Sequence, residues 1–218
     1  MVFTTQSLKN AALEAVAHCL LAACLCLLWA SATWAAAPTE ITQLRTERTE
    51  EGVYLSAVVR FDVPPVVEDA LLKGIAIYFV VEADIYRDRW YWTDLRVASA
   101  ARTLRLAYQP LTGRWRVNIV SGLIASSSGL RATLSQNYET MPEALSAIQR
   151  VAHWKIADAS EVEPGEAYML NLNFWLDLSQ LPRPFQIGVA GQRDWTISAQ
   201  VRDRLRLAPA PPAAEGGK

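Results

Sequence analysis

The chain has 218 residues, 51% of them hydrophobic and 20% charged, with a formal net charge of −1. That balance suits one sizeable folded domain and excludes both a largely disordered chain and a nucleic-acid binder working by overall basic charge. The three cysteines (Cys19, Cys24, Cys26) all lie near the start, and His18 and His153 are the only histidines, so zinc chemistry, thiol chemistry and a bound cofactor are not expected.

Residues 1–10 are polar, with Lys9 adding positive charge, and residues 15–37 are almost wholly apolar, ending in small side chains. This is the order of a secretory signal peptide, with Thr33 and Ala35, or Ala30 and Ala32, at the positions signal peptidase reads. Residues 1–35 are therefore read as a signal peptide. An uncleaved anchor is the alternative, because an apolar run of about 20 residues is long enough to span a bilayer. Leu21-Ala22-Ala23-Cys24 matches a lipobox, but the residues after Cys24 stay hydrophobic where a lipoprotein would begin a polar tether. The expected location is the periplasm, or the inner membrane with the domain in the periplasm and membrane contact through residues 15–37. Cleavage would remove every cysteine, so the exported core would have to be stable without disulfides.

Residues 38–207 show no linker and no internal repeat and read as one domain; residues 208–218, rich in Pro, Ala and Gly, read as a disordered tail. Within the domain the dominant hydrophobic period is two. Val53, Leu55, Ala57, Val59 and Phe61 alternate with Tyr54, Ser56, Val58 and Arg60. Val66 to Lys73, after Pro64-Pro65 and ending at Gly74, follow as a short helix with a proline start and a glycine stop. Ile75, Ile77, Phe79, Val81, Ala83 and Ile85 then make one face of a long strand whose other face carries Tyr78, Glu82 and Asp84. Leu104, Leu106 and Tyr108 lead through a Pro- and Gly-containing turn to Trp115, Val117 and Ile119, a hairpin pattern. A second helix is expected over residues 142–151, and later strands on Tyr168 to Leu178 and Trp195 to Val201. The double proline Pro182-Arg183-Pro184 predicts an extended crossover, since proline donates no ladder bond and disfavours helix in the residue before it. The sum is a mainly β protein: a single antiparallel β-sandwich, immunoglobulin-like in general architecture, with two short helical insertions.

No serine sits in a nucleophile motif, and His153 beside Trp154 reads as structural. Glu82 and Asp84 share a strand face and could form an acid pair for glycoside hydrolysis; nearby Arg87 and Arg89 offer them ordinary ion-pair partners. An enzyme would need Glu82, Asp84 and His153 to converge, and the expectation is that the protein is not one. The more unusual segment is Arg87-Asp88-Arg89-Trp90-Tyr91-Trp92. Trp90 and Trp92 on one strand face would either fill the core or form a stacking platform for a glycan or peptide. Residues 87–116 hold seven arginines against two aspartates, with Arg105, Arg114 and Arg116 expected on the outer face of the hairpin. Those three arginines and the two tryptophans are the candidate ligand-binding residues. Two readings stand: a patch facing anions such as lipid headgroups, polyanionic glycans or an acidic partner, or a solvated face complemented by Glu161, Glu163 and Glu166.

The order Glu68-Asp69-Ala70-Leu71 with Gly74, Ile77-Tyr78-Phe79-Val80-Val81-Glu82 and Arg89-Trp90-Tyr91-Trp92 resembles a proteobacterial family of exported proteins catalogued as domain of unknown function 4390. The likeness continues through Leu111-Thr112-Gly113-Arg114-Trp115-Arg116-Val117, Trp154-Lys155-Ile156-Ala157-Asp158 and Leu181-Pro182-Arg183-Pro184-Phe185-Gln186 to Arg193-Asp194-Trp195. The stretch from Ser121 to Tyr138 departs from it, being longer and richer in serine. The resemblance implies a small envelope domain with a signal peptide and supplies no catalytic residues. It also implies a genetic neighbourhood with a membrane histidine kinase and response regulator of the nitrogen-regulation type. The expected function is thus a non-enzymatic binding or adaptor domain whose partner is a membrane sensor kinase or another envelope protein; the alternative is a glycan- or lipid-binding module.

Overall fold

Two antiparallel sheets, each apolar on the side that faces the other, account for most of the chain beyond residue 37. The computed structural model describes residues 38–87, 95–123, 133–163, 165–183, 185, 195–205 and 208–209. The expected signal segment and the Trp90-Tyr91-Trp92 motif lie outside the described residues. Among the described residues no helix is long and apolar enough to cross a membrane.

The smaller sheet is built on β1 (Glu40–Arg48), β2 (Gly52–Arg60) and β7 (Arg150–Asp158), in the order β1-β2-β7, all antiparallel. At its β1 edge β10 (Ala208–Pro209), the start of the segment read as a tail, pairs parallel with Glu47 and Arg48. The larger sheet runs β6 (Thr133–Tyr138), β5 (Arg114–Ser121), β4 (Leu95–Gln109), β3 (Ile77–Arg87), β8 (Tyr168–Leu176) and β9 (Ser198–Arg204). Two helices, α1 (Pro65–Leu72) and α2 (Met141–Gln149), stand between β2 and β3 and between β6 and β7.

The alternation read from sequence is the packing. Val53, Leu55, Ala57 and Val59 of β2 face Ile77, Phe79, Val81, Ala83 and Ile85 of β3 and Leu170, Leu172 and Phe174 of β8 in one core. Phe61 closes β2 and joins the sheets, its ring 5.3 Å from Phe79 and 5.2 Å from Phe174. Burying such side chains fully stabilises a fold by about 1.5–3 kcal/mol each, so this layer holds the sandwich. Both helices carry proline in the first turn, where its missing N–H costs nothing. Thr140 caps α2 by accepting a hydrogen bond from the Glu143 N–H.

Three details differ from the sequence reading. Helix α2 ends at Gln149, and Val151 belongs to β7: Arg150 already has extended backbone, and the β2 edge offers the next residues a ladder. Strands β1, β6 and β7 lack the clean alternation that would announce them. Bulges interrupt β1 and β7, and β6 is mostly exposed. Of the double proline, Pro184 lies outside the described residues; after Pro182 the chain does not stay extended, since Arg183 and Phe185 are helical and the Phe185 N–H donates to the Pro182 carbonyl (2.9 Å).

Candidate functional site: the outer face of the β4–β5 hairpin

A tight turn sets the parity of this hairpin. The N–H groups of Thr112 and Gly113 both donate to the Gln109 carbonyl (3.1 and 2.9 Å), and Gly113 takes φ +64°, a conformation that favours glycine. Gln109 is thereby paired with Arg114, Ala107 with Arg116 and Arg105 with Asn118. Cross-strand partners share a face, so Arg105, Arg114 and Arg116 all stand on the outer side. The core side carries Tyr108 with Trp115, Leu106 with Val117 and Leu104 with Ile119.

The surroundings of these arginines are neutral. Arg105 Nε donates to the Tyr78 hydroxyl (3.2 Å), and Arg116 Nε donates to Asn137 Oδ1 (3.0 Å). Arg114 is exposed beside Gln109, and none of the three forms an ion pair with a described residue. Between them, Asn118 Oδ1 is buried without a hydrogen-bond partner, and at the tip of the turn Leu111 is fully exposed. The result is a shelf of three cations and amide groups with an apolar tip.

The acids expected to complement the patch are engaged elsewhere. Glu163 pairs with Arg87 (3.3 Å), whose guanidinium also donates to the Tyr168 hydroxyl; that bond, with Glu163 and Glu166 nearby, raises the Arg87 pKa. Glu161 accepts the Asp158 N–H (2.7 Å).

Glu82 and Asp84 also lie on the outer face of the larger sheet, on β3, where both were expected. Asp84 is nevertheless buried, its carboxylate 3.6 Å from Arg96 and its Oδ1 without a hydrogen bond. Burial, reinforced by Asp84, raises the Glu82 pKa, and Arg96 partly offsets this. His153 is far from this pair in architecture. It sits on the outer side of the smaller sheet, at the β7 bulge with φ +42°, stacked on Tyr54 at 4.1 Å between ring centroids. The three residues a hydrolase would have needed are therefore on opposite faces of the sandwich. A cleft of about 250 Å³ between β1 and the β8–β9 pair is lined by Leu44, Arg45, Glu47, Leu170, Asp203 and Arg204, with both signs of charge represented. Among the described residues no group of three or more His, Cys, Asp or Glu side chains is placed to hold a metal ion.

Trp90 and Trp92 lie outside the described residues. One arginine in the same run was missed as a site residue: Arg102 of β4 faces the core side, paired across the ladders with Val81 and Ser121. Its distance of three residues from Arg105 was the available signal, because an odd step along a strand changes face.

The fold and this face define the class: an antiparallel β-sandwich bearing a basic, acid-free hairpin surface. Residues 36–204 match the model of the family described as Domain of unknown function (DUF4390), and the chain belongs to that family. No curated protein and no solved structure matches it.

Proposed function

We propose that this domain is a non-enzymatic binding module of the cell envelope that docks an acidic surface of a membrane protein through the outer face of β4 and β5. The observation that carries the reading is the set Arg105, Arg114 and Arg116, brought to one face and left without a carboxylate. Arginines without paired acids leave a positive surface that steers the approach of an acidic partner. Arginine is among the residues enriched at interface hot spots, and Leu111 at the tip of the turn is fully exposed. The N-terminal sequence supports export, and the genetic neighbourhood implied by the family resemblance makes a membrane sensor kinase the first partner to test.

The experiment is a crosslinking pull-down of the tagged full-length protein from its own envelope, with Arg105, Arg114 and Arg116 intact and with all three changed to glutamate. A stoichiometric membrane protein lost from the charge-reversed sample supports the reading. A partner retained equally by both overturns the assignment to this face. Recovery of lipid or glycan alone overturns the adaptor role and favours a binding module.

A further inference from the structure

The same strand carries a second cation, on the opposite face, in a different setting. Arg102 of β4 lies on the core side, where β7 packs over β4, and its guanidinium rests 4.8 Å from the centre of the Trp154 ring. Trp154 itself is buried. No carboxylate or other described group pairs with or accepts a hydrogen bond from Arg102. Burial alone lowers its pKa to about 10, with no acid to offset the loss of solvent. A half-buried guanidinium is normally balanced by a carboxylate, because desolvating a charge without a counter-charge is costly.

Among the described residues, the surface next to Arg102 towards β6 is apolar and not covered by another element. The smaller sheet ends at β7, so it does not extend over β5 and β6, and α2 packs on these strands towards their Trp115 and Tyr138 end. At the other end Leu104, Ile119 and Leu134 form a cross-strand row on the core side, in which Ile119 is half-buried and Leu134 is 65% exposed. The next row holds Arg102 and Ser121. Adjacent strands are about 4.8 Å apart, so the chain of a carboxylate on Arg102 can reach across to Ile119, one row along on β5, and on to Leu134.

We infer that Arg102, Trp154, Ile119 and Leu134 form a binding site for a long-chain carboxylate of the fatty-acid type. The head would pair with the guanidinium edge, a geometry that suits the planar fork of arginine, and the chain would lie on the Ile119–Leu134 row. A charged head on a desolvated cation and a chain on an exposed apolar row together select an amphiphile, where either feature alone would not. The site is on the opposite side of β4 from Arg105 and does not depend on the docking reading above.

The probe is sodium laurate below its micelle concentration, titrated into the full chain by calorimetry, with propionate and dodecyl maltoside as head-only and chain-only controls. The expected result is saturable one-to-one binding of laurate, at least tenfold weaker binding of both controls, and at least a tenfold loss in Arg102→Met. Arg102→Lys is expected to keep part of the affinity. Because Arg102 touches a core tryptophan, Leu134→Glu serves as the second variant: it lies on the surface and is expected to weaken laurate without lowering Tm. Absence of laurate binding, equal binding of dodecyl maltoside, or unchanged affinity in both Arg102→Met and Leu134→Glu overturns the inference.

Discussion

The outer faces of the two sheets obey the same period of two and treat charge in opposite ways. On the smaller sheet several charged groups have a complement at hand. Lys155 pairs with Asp158 at 2.7 Å, the Tyr54 hydroxyl donates to Glu51 at 3.0 Å, and Glu40 stands opposite Arg60. On the larger sheet the acids Glu82 and Asp84 of β3 stand near Arg96, whereas Arg105, Arg114 and Arg116 occupy the far half of the β4–β5 hairpin with neutral partners. Exposed pairs of the first kind contribute about 0–1 kcal/mol and neutralise the surface. The second arrangement ties neighbouring strands only through neutral hydrogen bonds and leaves a directed field outside the fold. The difference is what motivates the docking proposal.

The comparison rests on the sandwich that carries both faces, so the largest effect is expected where that frame is cut. Phe79→Ala removes a fully buried ring that stacks with Phe174 at 5.7 Å and should cost about 3–5 kcal/mol in urea denaturation. Gly52→Ala should cost on the order of 1–3 kcal/mol. A Cβ there would come within 2.2 Å of the Ala157 carbonyl oxygen, so β2 and β7 would have to part at that point. Thr140→Ala removes the α2 cap and should cost about 1 kcal/mol. Each charge reversal at Arg105, Arg114 or Arg116 should alter stability by only about 0.5 kcal/mol, which separates their use in docking from any use in folding; a collapse in Tm would erase that distinction.

The smallest expected effect sharpens the acid side of the comparison. Because the Glu82 pKa is raised in the fold, its contribution to stability is fully present below the ordinary carboxylate value and is lost as pH rises through the raised one. Glu82→Gln should therefore gain on the wild type as pH rises above the ordinary carboxylate range, read as a Tm difference that widens between acid and neutral pH. A constant difference would mean that Glu82 is not desolvated.

Much of the fold was legible because the buried faces of β2, β3 and β8 alternate without interruption, and the turn at Gln109 to Gly113 fixed the hairpin register. From that register the outward placement of Arg105, Arg114 and Arg116 follows by parity. Strand β7 was not legible because its bulge at Ala152 and His153 shifts the alternation partway along, leaving Val151 and Trp154 both facing inward. Strand β1 hides in the same way behind the shift between Thr42 and Arg45. The burial of Asp84 and Val80 on the outer face was not legible either, since period two assigns a face and says nothing of what covers it. Arg102 was counted among the arginines, but its apposition to Trp154 depends on how the two sheets stack, which is a tertiary fact.

The central claim, that the acid-free hairpin face is the one that meets a partner, is tested most directly by site-specific photocrosslinking in the living envelope. A photoreactive residue at Ser135, exposed on the outer face in the same row as Arg105 and Asn118, is compared with one at Ala152, exposed on β7 of the smaller sheet. The account predicts a discrete adduct from position 135, mapped to an acidic segment of a membrane protein and absent when Arg105, Arg114 and Arg116 are glutamate, with none from position 152. An adduct from position 152 alone, or one from position 135 that survives the charge reversal, would contradict it.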